Sequence, residues 1–71
     1  MNNRLLTTTI IEALGRNGAQ KADDLYKQVQ KLHSDLEKRS FEESLMVLEL
    51  QGLITVYSMA RDQRRVELAK G

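Results

Sequence analysis

At Gly52 the chain changes its apolar rhythm, and no other feature constrains the fold as much. Before it, Phe41, Leu45 and Leu48 recur at helical spacing over about Lys38 to Gln51. After it, "LITVYSM" is rich in β-branched and aromatic residues and reads as a strand. "ARDQR" then reads as a turn, although it contains no glycine, and "RVELA" alternates like a returning strand. The expectation is a helix stopped at glycine, followed by a hairpin with a loop of about four or five residues. A lone hairpin is marginal in water, so it must pack on the helices that precede it.

Two earlier segments supply those helices. Over about residues 4–15, Leu6, Ile10, Ala13 and Leu14 share a face. One of Gly15 and Gly18 is expected to cap that helix, with Arg16 suited to the negative end of its dipole. Over about residues 22–33, Ala22, Leu25, Val29 and Leu32 share a face. Asp23 and Asp24 suit the first turn of this helix and Lys27 and Lys31 its far end, with Asp23 and Lys27 spaced to pair. The third helix has two candidate starts, because Ser34–Glu37 and Ser40–Glu43 both fit the capping-box spacing.

The 71 residues suggest one domain, spanning 1–71. A chain this short buries roughly 60% of its unfolded surface and has modest stability. Charged residues of both signs are interspersed, which argues against disorder. The absence of cysteine excludes disulfides and thiolate metal sites. The apolar runs fall far short of the ~20 residues that a membrane span needs, and three threonines interrupt any signal-peptide core. These features point to the cytoplasm.

The order of elements resembles the winged helix-turn-helix superfamily. The residues that carry the resemblance are "IIEAL" (Ile10 to Leu14), "ADDLYKQV" (Ala22 to Val29), and Phe41, Leu45, Leu48, Gly52, Leu53 and Ile54. It covers Arg4 to Ala69 and marks a superfamily rather than one protein. It implies an α+β fold of three helices and a two-stranded β-hairpin wing at about 53–69, with a short extra strand at Ala19 to Lys21. The connection "LHSDLEKR" is longer than in the tightest helix-turn-helix units. It is more similar to winged helices appended to larger nucleic-acid machines, such as the C-terminal domain of archaeal replicative helicases. Leu36 would plug that turn. Tyr26 stands where such domains often have a small residue, and is expected to tilt outward.

The residues offer little for catalysis. His33, Ser34 and Asp35 are neighbours in sequence and cannot converge as a triad, so His33 reads as a solvated turn residue. Neither the ligands for a metal nor a glycine-rich phosphate loop is present, and no cofactor is implied. Two tyrosines and one phenylalanine give little material for stacking single-stranded bases.

Charge leaves two readings open. The net charge of +1 is small for a nucleic-acid binder, but it is unevenly spread. Residues 1–32 carry five positive and three negative groups, residues 33–52 two and five, and residues 53–71 four and two. The hairpin is therefore basic and the third helix acidic. With Phe41 pointing inward, Arg39, Glu43, Met46 and Leu50 fall within about 40° of the opposite face. In the first reading the chain binds double-stranded DNA in a regulatory or accessory role. Lys38 and Arg39 reach DNA from the start of the third helix, and Arg61, Arg64 and Arg65 hold phosphates. In the second, Glu43, Met46, Val47 and Leu50 form a protein interface or a homodimer contact.

Overall fold

The computed structural model describes residues 3–69; Met1, Asn2, Lys70 and Gly71, the ends of the expected domain, lie outside the described residues. Three helices, α1 (Asn3–Asn17), α2 (Ala22–Leu32) and α3 (Lys38–Leu50), pack with strands β1 (Gln20–Lys21), β2 (Ile54–Ser58) and β3 (Arg64–Leu68). The fold is α+β and has the expected order, with β2 and β3 as the wing. The three strands form one antiparallel sheet in the order β1-β3-β2. Val66 lies at its centre, opposite Gln20 on one side and Val56 on the other, and is fully buried.

The core forms where the apolar faces meet. Leu6, Ile10 and Leu14 of α1, Ala22, Leu25 and Val29 of α2, and Phe41, Leu45 and Leu48 of α3 close on Ile54 and Val66 of the wing. Leu36 is buried as the plug of the α2–α3 turn. Tyr26 does not tilt outward. Its ring meets Phe41 edge-on at 5.1 Å, and its hydroxyl donates to the Leu36 carbonyl (3.2 Å). The polar tip has found a backbone acceptor, so the apolar body can cover the core.

Four local expectations are corrected. Leu32 has the right helical phase but is 73% exposed. It is the last residue of α2 and lies on the rim of a shallow groove of about 230 Å³ against α1, opposite Ala13 and Arg16. Ala13 is too short to reach over it, and Arg16 is exposed to solvent. Neither capping box forms: α3 begins after Glu37, which is extended and makes no side-chain cap. Asp23 pairs across to Lys38 (3.3 Å) rather than along its own helix to Lys27. His33 is half-buried, with Nε2 2.9 Å from Thr9 Oγ1. The single Thr9 hydroxyl proton is used on the Leu5 carbonyl (2.9 Å), so the Nε2–H of His33 is the donor.

Helix ends and the wing tip depend on left-handed backbone. Gly18 (φ 79°) stops α1, its N–H bonding to the Leu14 carbonyl at 2.8 Å. Gly52 (φ 75°) stops α3 in a Schellman arrangement. Its N–H bonds to the Glu49 carbonyl, and the Leu53 N–H to the Leu48 carbonyl, each at 3.0 Å. This geometry turns the chain from α3 into β2. At the wing tip, Arg61 (φ 59°) and Asp62 (φ 62°) occupy the same region in succession. Tight hairpins favour such turns because the twist matches that of the strands, but glycine or asparagine is the usual occupant.

Gly52→Ala and Asp62→Gly should therefore act in opposite directions. A Cβ at Gly52 meets nothing within 4 Å, so its cost is backbone strain alone. That cost is about 1 kcal/mol, and removing the Cβ at Asp62 recovers up to about the same amount. In a domain this small, 1 kcal/mol moves Tm by roughly 4–8 °C. Thermal melts are expected to rank Gly52→Ala below the parent and Asp62→Gly above it. Three coincident melting curves would contradict the role given to these turns.

Candidate nucleic-acid interface

The five cations expected to meet DNA divide into two groups. Lys38 and Arg64 are paired with carboxylates of the same chain, Lys38 at the surface and Arg64 partly buried. Lys38, in the first turn of α3, pairs with Asp23 (3.3 Å) and lies 3.9 Å from Glu42. Its ammonium also sits 4.7 Å from the centre of the Tyr26 ring and 5.8 Å from that of Phe41. It thus covers the aromatic pair where α2 meets α3. Arg64 opens β3 and makes a two-pronged contact with Glu42 of α3, Nη1 to Oε1 at 2.6 Å and Nη2 to Oε2 at 2.5 Å.

The Arg64–Glu42 fork ties the wing to the third helix. Both side chains are about one-third exposed, so water weakens the pair, and its worth is of the order of 1 kcal/mol. The Arg64 hydrogen bonds hold the Glu42 carboxyl below its ordinary value of 4.5, against partial burial that pushes the other way. The same bonds raise the Arg64 guanidinium. Strand alternation carries a sequence signal for this pairing. Arg64 is two residues from buried Val66 and therefore shares its core-facing side.

The remaining cations face water. Arg39 is 88% exposed and lies 3.7 Å from Glu43, one turn on along α3. Such a pair contributes a few tenths of a kcal/mol and leaves the guanidinium accessible. Arg61, at the strained tip, and Arg65, on the outer side of β3, are exposed and make no ion pair among the described residues. The registry sets Lys21 of β1 directly opposite Arg65, on the same outer face. Lys21 is also exposed and without an ion pair among the described residues. It was missed because a two-residue strand shows no period of its own.

The outer face of α3 has a different chemistry. Met46 is 60% exposed and Leu50 81%. Val47 and Leu53 are also exposed, and Val47 borders shallow depressions shared with Thr7 of α1. Glu43 completes this surface at its N-terminal side. The helix thus presents one carboxylate, one half-neutralised arginine and an apolar strip in the position from which a winged helix would enter a groove. No helix among the described residues is long and apolar enough to cross a membrane.

Comparison with family models, with curated proteins and with solved structures finds no match for this chain.

The Glu42–Arg64 fork has a pH signature. Glu42 titrates lower in the folded chain than in the unfolded one. Its contribution is therefore complete above the unfolded value near 4.5 and is lost as pH falls through the lower folded value. Urea unfolding of the parent and Glu42→Gln should differ by about 1 kcal/mol near neutral pH. That gap should shrink as the pH falls well below 4.5. A gap that stays constant into strong acid would show that the fork does not stabilise the wing.

Proposed function

We propose that this chain is a winged-helix module that binds double-stranded DNA through phosphate contacts of its wing, in a regulatory or accessory capacity. The observation that carries this reading is the free basic side of the wing. Arg61, Arg65 and, beside it, Lys21 are exposed, and no carboxylate pairs with them among the described residues. Backbone phosphates accept hydrogen bonds from such groups without regard to sequence. Arg39 adds a reachable guanidinium at the start of α3. Lys38 and Arg64 hold the fold and leave this list of contacts. With Met46 and Leu50 on its outer face, α3 offers no set of polar donors for base edges, so modest sequence specificity is expected. The reading includes no catalysis.

The apolar strip on α3 favours a second reading, contact with a second copy of this chain. A two-fold interface buries the same patch on both partners, so Met46, Val47 and Leu50 would cover their own counterparts. Methionine adapts well to such packing. This reading is compatible with the first, because two wings on one dimer would add their contacts to DNA.

Salt dependence tests the first reading. Anisotropy titrations of a labelled duplex should give an affinity that falls steeply with salt. Arg61→Gln combined with Arg65→Gln should reduce the log–log slope by about 1.8, two contacts' worth. Arg64→Gln should leave the slope nearly unchanged and lower the melting temperature instead. No duplex binding at low salt would rule the reading out.

Sedimentation equilibrium tests the second reading. The parent should approach twice its monomer mass with rising concentration, and Met46→Glu/Leu50→Lys should stay monomeric. A parent that remains monomeric at high concentration would remove it.

A further inference from the structure

The sheet has two faces, and the core uses only one. Val66, Val56 and Gln20 form a cross-strand row on the inner side. One residue along each strand, the next row points to solvent: Lys21 on β1, Arg65 on β3 and Tyr57 on β2. All three are exposed, Tyr57 by 48%.

Two features of this row call for a ligand. First, Lys21 and Arg65 are directly opposed, and like charges opposed across an antiparallel pair repel. Glu67 is the carboxylate two residues along β3 on the same face, and it is already engaged. It accepts a hydrogen bond from the Tyr57 hydroxyl at 3.2 Å. Glu67 keeps its charge on this face, but no carboxylate among the described residues forms an ion pair with Lys21 or Arg65, and an anion placed between them would do so. Second, the bond to Glu67 draws the Tyr57 ring across from β2 towards β3, so the ring is held in place beside Arg65. Met59, just past the end of β2 towards the wing tip, is also exposed.

A fixed aromatic ring with two unpaired cations in line on one side of it, Arg65 nearer and Lys21 beyond, matches one ligand chemistry on this open surface. An unstacked base has a flat face for the ring, and its neighbouring phosphates meet the cations. The bases of a duplex are stacked on one another and cannot reach Tyr57. A free nucleotide would need an enclosing pocket, whereas this face is open and suits a continuous strand. We infer that the outer face of the sheet binds single-stranded nucleic acid, with one base stacked on Tyr57 and adjacent phosphates held by Arg65 and Lys21. The inference deepens the nucleic-acid reading of the wing and rests on it for Arg65, which both surfaces share.

The test uses the full chain with a labelled oligothymidylate and, separately, a labelled blunt duplex. Tyr57→Leu keeps bulk but removes the ring, and should weaken single-strand binding by about tenfold. Tyr57→Phe keeps the ring and should stay within about threefold of the parent, since stacking tolerates loss of the hydroxyl. Lys21→Gln with Arg65→Gln should reduce the single-strand salt slope by about 1.4. Circular dichroism checks that each variant remains folded. Duplex affinity should be indifferent to Tyr57→Leu. If Tyr57→Leu binds the single strand as the parent does, or if Leu and Phe weaken it equally, the inference fails. It also fails if the oligothymidylate is not bound at low salt, even where the duplex is. Single-strand binding with the expected pattern, but without duplex binding, would uphold the inference and overturn the duplex reading.

Discussion

The burial of Phe41 orients everything else in the molecule. It is the largest fully buried side chain, and it sits in the first turn of α3 with Tyr26 edge-on against it. Once that ring points inward, helical geometry leaves no freedom for the rest of α3. Leu45 and Leu48 follow it into the core, and Arg39, Glu43, Met46 and Leu50 are turned to solvent. The chemistry presented by the third helix is thus a consequence of core packing, and it is an apolar, acidic chemistry. A small domain has few apolar side chains to spare, so leaving Met46 and Leu50 outside is a cost that a partner surface would offset.

Electrostatics divides the remaining work. Glu42 of α3, partly buried, engages Arg64, and Asp23 in the first turn of α2 engages Lys38 at the surface. Those two cations join α2, α3 and the wing into one frame. Of the other cations, Arg61 and Arg65 stand on the wing and Lys21 on the neighbouring edge strand, while Arg39 lies on α3 and Arg16, Lys27 and Lys31 on α1 and α2. A net charge of +1 therefore conceals a polarised surface. Under the proposed reading, ligands of negative charge would meet the wing and its sheet, and α3 would be left for contacts that exclude water.

Much of the fold was legible in the sequence because its signals are local. The change of period at Gly52 is the trace of a backbone position that needs positive φ, and a helix stop leading straight into a strand follows from it. Leu36 as the plug of the α2–α3 turn was an expectation of the resemblance, and the structure buries it. What could not be read depends on where distant elements end. The phase of Leu32 is that of the core, but periodicity does not report that α1 offers no large apolar side chain opposite it. Tyr26 turned inward because a carbonyl ten residues away was available to its hydroxyl. The candidate site was legible only in part. Arg61 and Arg65 are exposed as cations of a wing should be, whereas Arg64 is drawn to a carboxylate 22 residues distant. The pairing of Lys21 with Arg65 exists only through the sheet.

The central claim of the proposal is that the wing meets DNA and the apolar strip of α3 does not. An amide-shift titration of the full chain with a short duplex addresses it residue by residue. The account predicts that the signals of Lys21, Arg61 and Arg65 move together while those of Met46 and Leu50 stay in place. Shifts confined to Met46 and Leu50, or no shifts at all, would contradict it.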